Sequence, residues 1–276
     1  VAGRFDAALL AREDADGVSL ETALRAAGHD PAAIAGLARD PARTLAYVEV
    51  HIEQGPVLLA ENLALGVVTA IAGSRRYRMS IAGRAGHAGT VPMPLRQDAA
   101  AAAAEIVLAV ERRCSGVPGL VGTVGKLDVP DGAVNVVPGR CELTIDIRAP
   151  DDATRDAAAD AVLAEAAAIA ARRKVSIRHE QIVHADATPC APALQGRLDA
   201  AIRAVTGKAE SRHLPSGAGH DAMMMAALTD IGMLFVRCGA GGVSHNPEER
   251  LDESDAELAA AAFARFLQDF RSEANA

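Results

Sequence analysis

RCELTIDIR occupies residues 140–148, and its side chains alternate between apolar and polar along the segment. Successive side chains of an extended chain point to opposite faces, so the apolar members share one face and the polar members the other. The apolar members are Cys141, Leu143, Ile145 and Ile147. The alternation predicts a half-buried β-strand, and the segments around it indicate which sheet it joins.

The flanking segments predict strands and helices in a recognisable order. Upstream, Tyr77, Met79 and Ile81 alternate with small or polar residues, which is typical of a strand. Two Ala-rich segments predict helices, and two more segments predict strands. These helices and strands, in chain order, are 94–113, 120–129, 151–173 and 175–182. The order strand–helix–strand–strand–helix–strand is ferredoxin-like, so we expect an α+β domain over residues 71–187.

The chain on either side of this domain follows an α/β pattern. Apolar runs predict buried strands at 45–52, 66–71 and 231–236. Helical structure is predicted over 7–43, with a turn at 14–17 and a helix start at Ser19, and further helices are predicted over 192–206 and 219–228. A last helix is predicted with a Ser254–Glu257 capping box. We therefore expect a split α/β domain, formed by residues 1–70 and 188–276, into which the ferredoxin-like domain is inserted.

Composition excludes several classes of protein. The 276 residues are 50% hydrophobic and 23% charged, which is enough apolar surface for a sizeable core and rules out global disorder. The net charge of −8 and the lack of a basic stripe argue against nucleic acid or a membrane as partner. The four cysteines are scattered without a C-x-x-C pair, which indicates reduced thiols and a cytoplasmic protein.

Two histidines lie where an α/β protein could bind a metal ion. His51 ends a buried strand, and His245 lies in a loop bounded by glycine and proline after the last predicted strand. Imidazole is a common zinc ligand. A lone histidine at a strand end is more often satisfied within the core, so each signal is weak when taken alone.

Three further segments place polar side chains beside glycines or on a strand face. His87 lies in the Gly-rich segment 83–90, which could equally be a plain turn. Arg148 follows Asn135 by thirteen residues, and its guanidinium suits a carboxylate ligand, although a surface ion pair is the more common arrangement. His220 lies in a Gly-rich segment that opens a helix, and helix N-termini attract anions.

Taken together, six segments closely resemble one family of metallopeptidase-like amidohydrolases. That family includes N-carbamoyl-L-amino-acid hydrolase, allantoate amidohydrolase and β-ureidopropionase. The segments are YVEVHIEQGPVL (47–58), GRAGHAGTVPM (83–93), AVNVVPG (133–139), DIRAPDD (146–152), LPSGAGHDA (214–222) and GGVSHNPEE (241–249). The resemblance implies a zinc-aminopeptidase-like α/β catalytic domain with an inserted lid that also forms a homodimer.

The resemblance also implies an activity. Members of the family hydrolyse a C–N bond of a small ureido compound with metal-activated water, over two divalent ions such as zinc or manganese. His51 matches a ligand of one metal ion and His245 a ligand of the other. His87 matches a catalytic lid histidine that stabilises the oxyanion across the dimer. The positions that match substrate-binding residues are Gln54, Arg76, Asn135, Arg148 and His220.

One departure from the family pattern is large. The resemblance implies further metal ligands and a general base upstream, in a His-x-Asp motif, a bridging Asp and a Glu-Glu pair. Val1-Ala2-Gly3-Arg4-Phe5 resembles the family segment directly after that pair, so the catalytic domain is expected to be incomplete. His184-Ala185-Asp186 and Glu248-Glu249 are interpreted as coincidental matches. With two imidazoles only, we expect weak metal binding and no hydrolysis by this chain.

Other functions stay open at this point. A dipeptidase or an aminoacylase of the same superfamily would share most of these segments. A non-catalytic, dimerising protein that binds small carboxylates through the lid would explain the missing upstream ligands. The substrate-binding positions Arg76, Asn135 and Arg148 favour a ureido substrate that carries a carboxylate.

Overall fold

The protein divides into two compact units in a computed structural model, which describes residues 1–2 and 5–270. The first unit comprises Val1–Thr69, Cys190–Leu214 and Gly219–Ala276, and the second comprises Ala70–Pro189 and Pro215–Ala218. The interpretation of Val1 to Phe5 falls partly on Gly3 and Arg4, which lie outside the described residues. The catalytic and lid roles of the segments 1–70, 71–187 and 188–276 stay predictions.

Strands and helices are distributed over both units, which makes the chain a mixed α/β protein as predicted. The strands are β1 Tyr47–Ile52, β2 Leu65–Ile71, β3 Gly73–Ala82, β4 Gly86–His87, β5 Val121–Asp128, β6 Val136–Val137, β7 Arg140–Ala149, β8 Ser176–Ala185, β9 Thr188–Pro189, β10 Arg212–Ser216 and β11 Ile231–Val236. The helices are α1 Leu20–Ala26, α2 Val57–Ala60, α3 Ala99–Cys114, α4 Asp152–Arg173, α5 Pro192–Thr206, α6 Asp221–Met225 and α7 Glu253–Asp269.

The second unit contains a four-stranded antiparallel sheet in the order β5-β7-β3-β8. Helices α3 and α4 pack on one face of it and bury the apolar sides of β3 and β7. Tyr77, Met79 and Ile81 are among the buried side chains, as their alternation predicts. Strands β4 and β6 form a separate two-stranded ribbon. Strand β4 lies in the Gly-rich segment 83–90, which follows β3.

The first unit is built on a sheet in the order β1-β11-β2-β10, in which β1 and β11 are parallel. Every residue of β11 is buried, because the strand lies between β1 and β2 and is covered by helices α5 and α7. Strand β1 carries polar side chains on one face and is followed by the non-strand segment Glu53–Pro56, in which Gln54 has a positive φ. This end of β1 holds the candidate site.

Three sequence predictions about the first unit differ from the structure. Residues 7–43 are mostly not α-helical: outside α1 they form 3₁₀ turns and loops. The predicted turn at 14–17 and the predicted helix start at Ser19 are both present, with Gly17 at positive φ and Ser19 as the N-cap of α1. The predicted capping box is also displaced, since α7 begins at Glu253 with Asp252 as its N-cap and Ser254 lies inside the helix. Helix α6 is shorter than the predicted 219–228.

Among the residues that the structure describes, none of the helices combines the length and the apolar character needed to cross a bilayer.

Candidate active site

Strand β1 and the start of helix α6 bring together three side chains that can bind a metal ion. Glu49 and His51 are two residues apart on β1 and therefore point to the same face. His220 immediately precedes α6 in an extended conformation. One ligand atom from each of the three lies within 4.8 Å of the others. They line an open pocket of about 510 Å³, together with Gly219, Asp221 and Met223.

The hydrogen bond of His51 fixes which ring nitrogen is available. Its Nδ1 lies 2.7 Å from the carbonyl oxygen of Ile52. Since a carbonyl can only accept, Nδ1 carries the proton and donates it, which leaves a lone pair on Nε2. This arrangement is typical of metal-binding histidines, whose second nitrogen is held by a backbone carbonyl or carboxylate.

Glu49 connects the strand to the helix. Its Oε2 accepts hydrogen bonds from the backbone N–H of Ala222, at 3.0 Å, and from the Tyr47 hydroxyl, at 3.3 Å. Its Oε1 lies 3.5 Å from Nδ1 of His220. The carboxylate therefore lies at the N-terminus of α6, where negative charge is favourable.

His220 is the most enclosed member of the group. Its side chain is 1% exposed, and its ring centroid lies 4.6 Å from that of His51, edge to face. Burial, followed by the neighbouring His51, lowers the pKa of His220, and Glu49 offsets part of this effect. The ring is therefore neutral at neutral pH, which is the form that binds metal.

These three side chains fit a divalent metal ion. Two imidazoles and one carboxylate form a donor set that zinc accepts, and manganese, cobalt and nickel accept the same atom types. The sequence predicts weak metal binding because it offers only two imidazole ligands, His51 and His245. The fold places two further candidate ligands, Glu49 and His220, beside His51.

The loop that carries His245 lies beside the end of β1. Gln54 donates from Nε2 to the Ser244 hydroxyl at 2.8 Å. The Glu249 carboxylate closes the loop by accepting from the Ser244 hydroxyl and from the backbone N–H of His245. Among the described residues, the group able to hold a metal includes His51 but not His245. The ligand role of His245 stays a prediction.

In the second unit, the two predicted substrate-binding arginines share one carboxylate. Arg148 donates to Asp146 from Nε at 3.1 Å and from Nη2 at 2.7 Å. Nε of Arg76 lies 3.0 Å from Oδ2 of the same Asp146. Nη1 of Arg148 also donates to the Gly217 carbonyl at 2.6 Å. The hydrogen bonds that Arg148 donates to Asp146 raise the pKa of Arg148, which keeps the guanidinium charged.

His87 lies in β4 of the second unit, and Asn135 directly precedes β6. The backbone N–H of Ala88 donates to the Asn135 carbonyl, and His87 pairs with Val136. Nδ1 of His87 accepts from the Gly89 N–H at 3.0 Å, so the proton of the neutral ring lies on Nε2. The exposed His87 therefore presents an N–H donor, as an oxyanion-stabilising group must.

Two residues of these clusters were missed in the sequence, Glu49 and Asp146. Each lies two residues before a predicted site residue on the same strand, so alternation places both members of each pair on one face but does not show what the acidic residue contacts. Two segments were interpreted as coincidental matches to the family pattern, His184-Ala185-Asp186 and Glu248-Glu249, and both make contacts with residues nearby in sequence. His184 pairs with Asp186 at 2.9 Å, and Glu248 is exposed.

Comparison with protein families and with known proteins shows what the chain is similar to. The family model described as peptidase family M20/M25/M40 matches residues 21–269. The N-carbamoyl-L-amino acid amidohydrolase of Geobacillus stearothermophilus is 38% identical over 260 residues, which cover 94% of this chain and 63% of that protein. The allantoate deiminase of Arabidopsis thaliana is 37% identical over 295 residues, which cover 97% of this chain and 56% of that protein.

A solved structure has the same fold. The amidase of the hydantoinase/carbamoylase family from Burkholderia multivorans superimposes with a TM-score of 0.86 at 34% sequence identity. The match covers 96% of this chain and 64% of that one. The chain thus spans less than two thirds of the length of each of these three relatives.

Proposed function

This chain belongs to peptidase family M20/M25/M40, and from that membership we propose that it takes part in the metal-dependent hydrolysis of a C–N bond in a ureido compound. The substrate would be an N-carbamoyl-L-amino acid or allantoate, in line with the names of the relatives. The observation that carries the proposal is the group formed by Glu49, His51 and His220.

In this proposal the metal ion is held by His51 together with Glu49 and His220, so His220 has a ligand role in place of the substrate-binding role that the family resemblance implies. A divalent ion at this place would polarise the scissile carbonyl group and lower the pKa of a bound water molecule. The second predicted ligand set, which includes His245, remains part of the proposal. Support for it comes from the Gln54–Ser244 hydrogen bond, which holds the His245 loop beside the end of β1.

The second unit supplies charges and donors that suit the rest of the substrate. The guanidinium groups of Arg76 and Arg148 would bind the substrate carboxylate, with Asn135 assisting. His87 would donate from Nε2 to the oxygen that becomes negative in the transition state. The Gly89 N–H supports this role of His87, because it selects the tautomer that has a donor at Nε2.

Metal binding is the first test of the proposal. Isothermal titration of the chain with zinc should show binding of about one ion, and His51→Ala should weaken it by about 100-fold because one of three ligands is lost. His184→Ala is the matched control, since that exposed histidine pairs only locally and should leave zinc affinity unchanged. No zinc binding, or an equal loss in both variants, would contradict the proposal.

The dipeptidase alternative has one observation in its favour, the peptidase description of the matching family. Calorimetric binding of N-carbamoyl-L-amino acids, allantoate and dipeptides to the zinc-loaded chain separates the two. The proposal requires the ureido compounds to bind more tightly. That this chain alone hydrolyses none of them stays a prediction.

Two further parts of the proposal concern the oligomeric state of the protein and its location in the cell. We propose a homodimer formed through the second unit, whose edge strand β5 exposes Val121 and Leu127. The mass of the protein in solution tests this, and a monomer at high concentration would contradict it.

We also propose a cytoplasmic location, which the buried free cysteines support. Fractionation of the native host cells is the corresponding test.

A further inference from the structure

Asp146 lies between the two arginines that are proposed to bind the substrate carboxylate. It projects from β7 on the face opposite the apolar core, two residues before Arg148 and directly across from Arg76 of β3. Its two carboxylate oxygens are shared between the guanidinium groups of both arginines. The three side chains therefore form one charged cluster rather than two separate cation sites.

The hydrogen bonds of Arg148 are largely committed within this cluster. A guanidinium has five N–H donors. Three donor contacts are occupied, two by Asp146 and one by the Gly217 carbonyl. The edge formed by Nε and Nη2, which could hold a carboxylate with two parallel bonds, is taken by Asp146. Arg148 is thus fixed in place and can offer a ligand only its remaining N–H groups.

Arg76 has the freer guanidinium. Its side chain is 41% exposed, whereas that of Arg148 is 27% exposed, and only its Nε faces Asp146. The terminal nitrogens of Arg76 can therefore receive an incoming carboxylate. Nε of Arg76 contacts Asp146 as an ion pair without a hydrogen bond, so one acid group pairs with both arginines but holds Arg148 more firmly.

Asp146 also sets the charge of the cluster. Two guanidinium groups and one carboxylate leave a net charge of about +1, which one substrate carboxylate neutralises. A second negative charge on the substrate would meet the Asp146 carboxylate without a cation to balance it. Like charges at short range in a partly buried site oppose binding.

We propose that Asp146 is a specificity-determining residue that makes this cluster select ligands with a single carboxylate over ligands with two. The inference rests on the proposed function, because it assumes that the arginines bind the substrate acid group. Selection works by adding an unfavourable contact for the wrong ligand, not only by a favourable contact for the right one.

N-carbamoyl-L-asparagine and N-carbamoyl-L-aspartate provide a matched pair of probes, because they have nearly the same shape and differ by one negative charge. Calorimetric titration of the zinc-loaded chain should show tighter binding of the asparagine compound. In Asp146→Asn the ratio of the two affinities should shift toward the aspartate compound by about fivefold, the effect of one partly exposed unit charge. Asp146→Glu keeps the negative charge and should therefore keep the wild-type preference for the asparagine compound.

Glu142→Gln is the matched control, because it removes the same charge from the same face of β7 but pairs with Arg140 instead. An equal shift in this variant, or an unchanged ratio in Asp146→Asn, would overturn the inference and leave the proposed function standing. If the wild-type chain binds neither probe, the carboxylate role of the arginines fails, and with it the inference. Asp146→Ser repeats the measurement if the Asn variant does not fold.

Discussion

Gly242 is required at its position for two separate reasons. Its φ is +78°, a left-handed conformation that L side chains rarely adopt. An added Cβ would also lie 2.3 Å from the carbonyl carbon and oxygen of Gly55. This close approach of two backbone segments fixes the His245 loop against the end of β1. Neighbouring Gly241 has a φ of +77° but open space around it.

The pair of glycines allows the two effects to be separated. Gly241→Ala should lower the free energy of unfolding by about 1 kcal/mol, the cost of a left-handed non-glycine residue. Gly242→Ala should cost at least about 2 kcal/mol more, because the clash with Gly55 displaces the loop. Urea denaturation measures both. Equal losses in the two variants would mean that the contact with Gly55 is unimportant.

Residue types alone could identify part of the candidate site. His51, Arg148 and His87 were identified because their chemistry is distinctive and they lie beside glycines or at strand ends. Glu49 and Asp146 were not, because acidic residues are common and nothing local shows that they contact His220 or Arg76. Those contacts join residues far apart in sequence, so they depend on how the strands and helices pack.

Helices α3 and α7 differ in how their N-termini are capped. The N-cap Asp98 of α3 accepts a hydrogen bond from the Ala101 N–H at 3.0 Å. Asp252 stands at the N-cap of α7 but makes no such bond with its side chain. A capping side chain satisfies one of the unpaired N–H groups in the first helical turn.

Alanine at the two caps should therefore have unequal effects. We expect Asp98→Ala to lower the free energy of unfolding by about 1 kcal/mol and Asp252→Ala by less than about 0.5 kcal/mol. Chemical denaturation followed by circular dichroism provides both values. A larger loss at Asp252 than at Asp98 would show that the cap hydrogen bond does not control the stability of α3.

The accuracy of the predicted elements depended on how strong their periodicity was. Helix α5 and strand β11 have the bounds that the sequence predicts, 192–206 and 231–236, since both have long apolar patterns and clear ends. Short elements such as β10 and the β4–β6 ribbon were missed, because two to five residues show no period. Ala-rich composition suggested helix over 7–43, where glycine and proline prevent it.

At the scale of the molecule, acid should destabilise the second unit. Arg155 lowers the pKa of Asp156, and Arg113 with Arg112 lowers that of Glu165. A carboxyl group with a lowered pKa in the folded state stabilises the fold above its unfolded pKa, about 4. That contribution is lost as the pH falls through the folded-state pKa values.

The expected result is a fall in melting temperature of at least about 3 °C between pH 6 and pH 3. Thermal melts followed by circular dichroism at several pH values measure it. Asp156→Asn should reduce the size of the fall, because one of the titrating groups is removed. A melting temperature that is constant over this range would contradict the assignment of these ion pairs as stabilising.

The sequence by itself determined the long periodic elements such as α5 and β11, the alternating faces of β3 and β7, and the family, because these follow from local periodicity and from short segments with distinctive residues. Only the tertiary structure decided that Glu49, His51 and His220 converge, and that Asp146 joins Arg76 to Arg148. The physical reason is the range of the interactions. Side-chain alternation is set within a strand, whereas a metal site or a shared carboxylate requires the registers and packing of several elements at once.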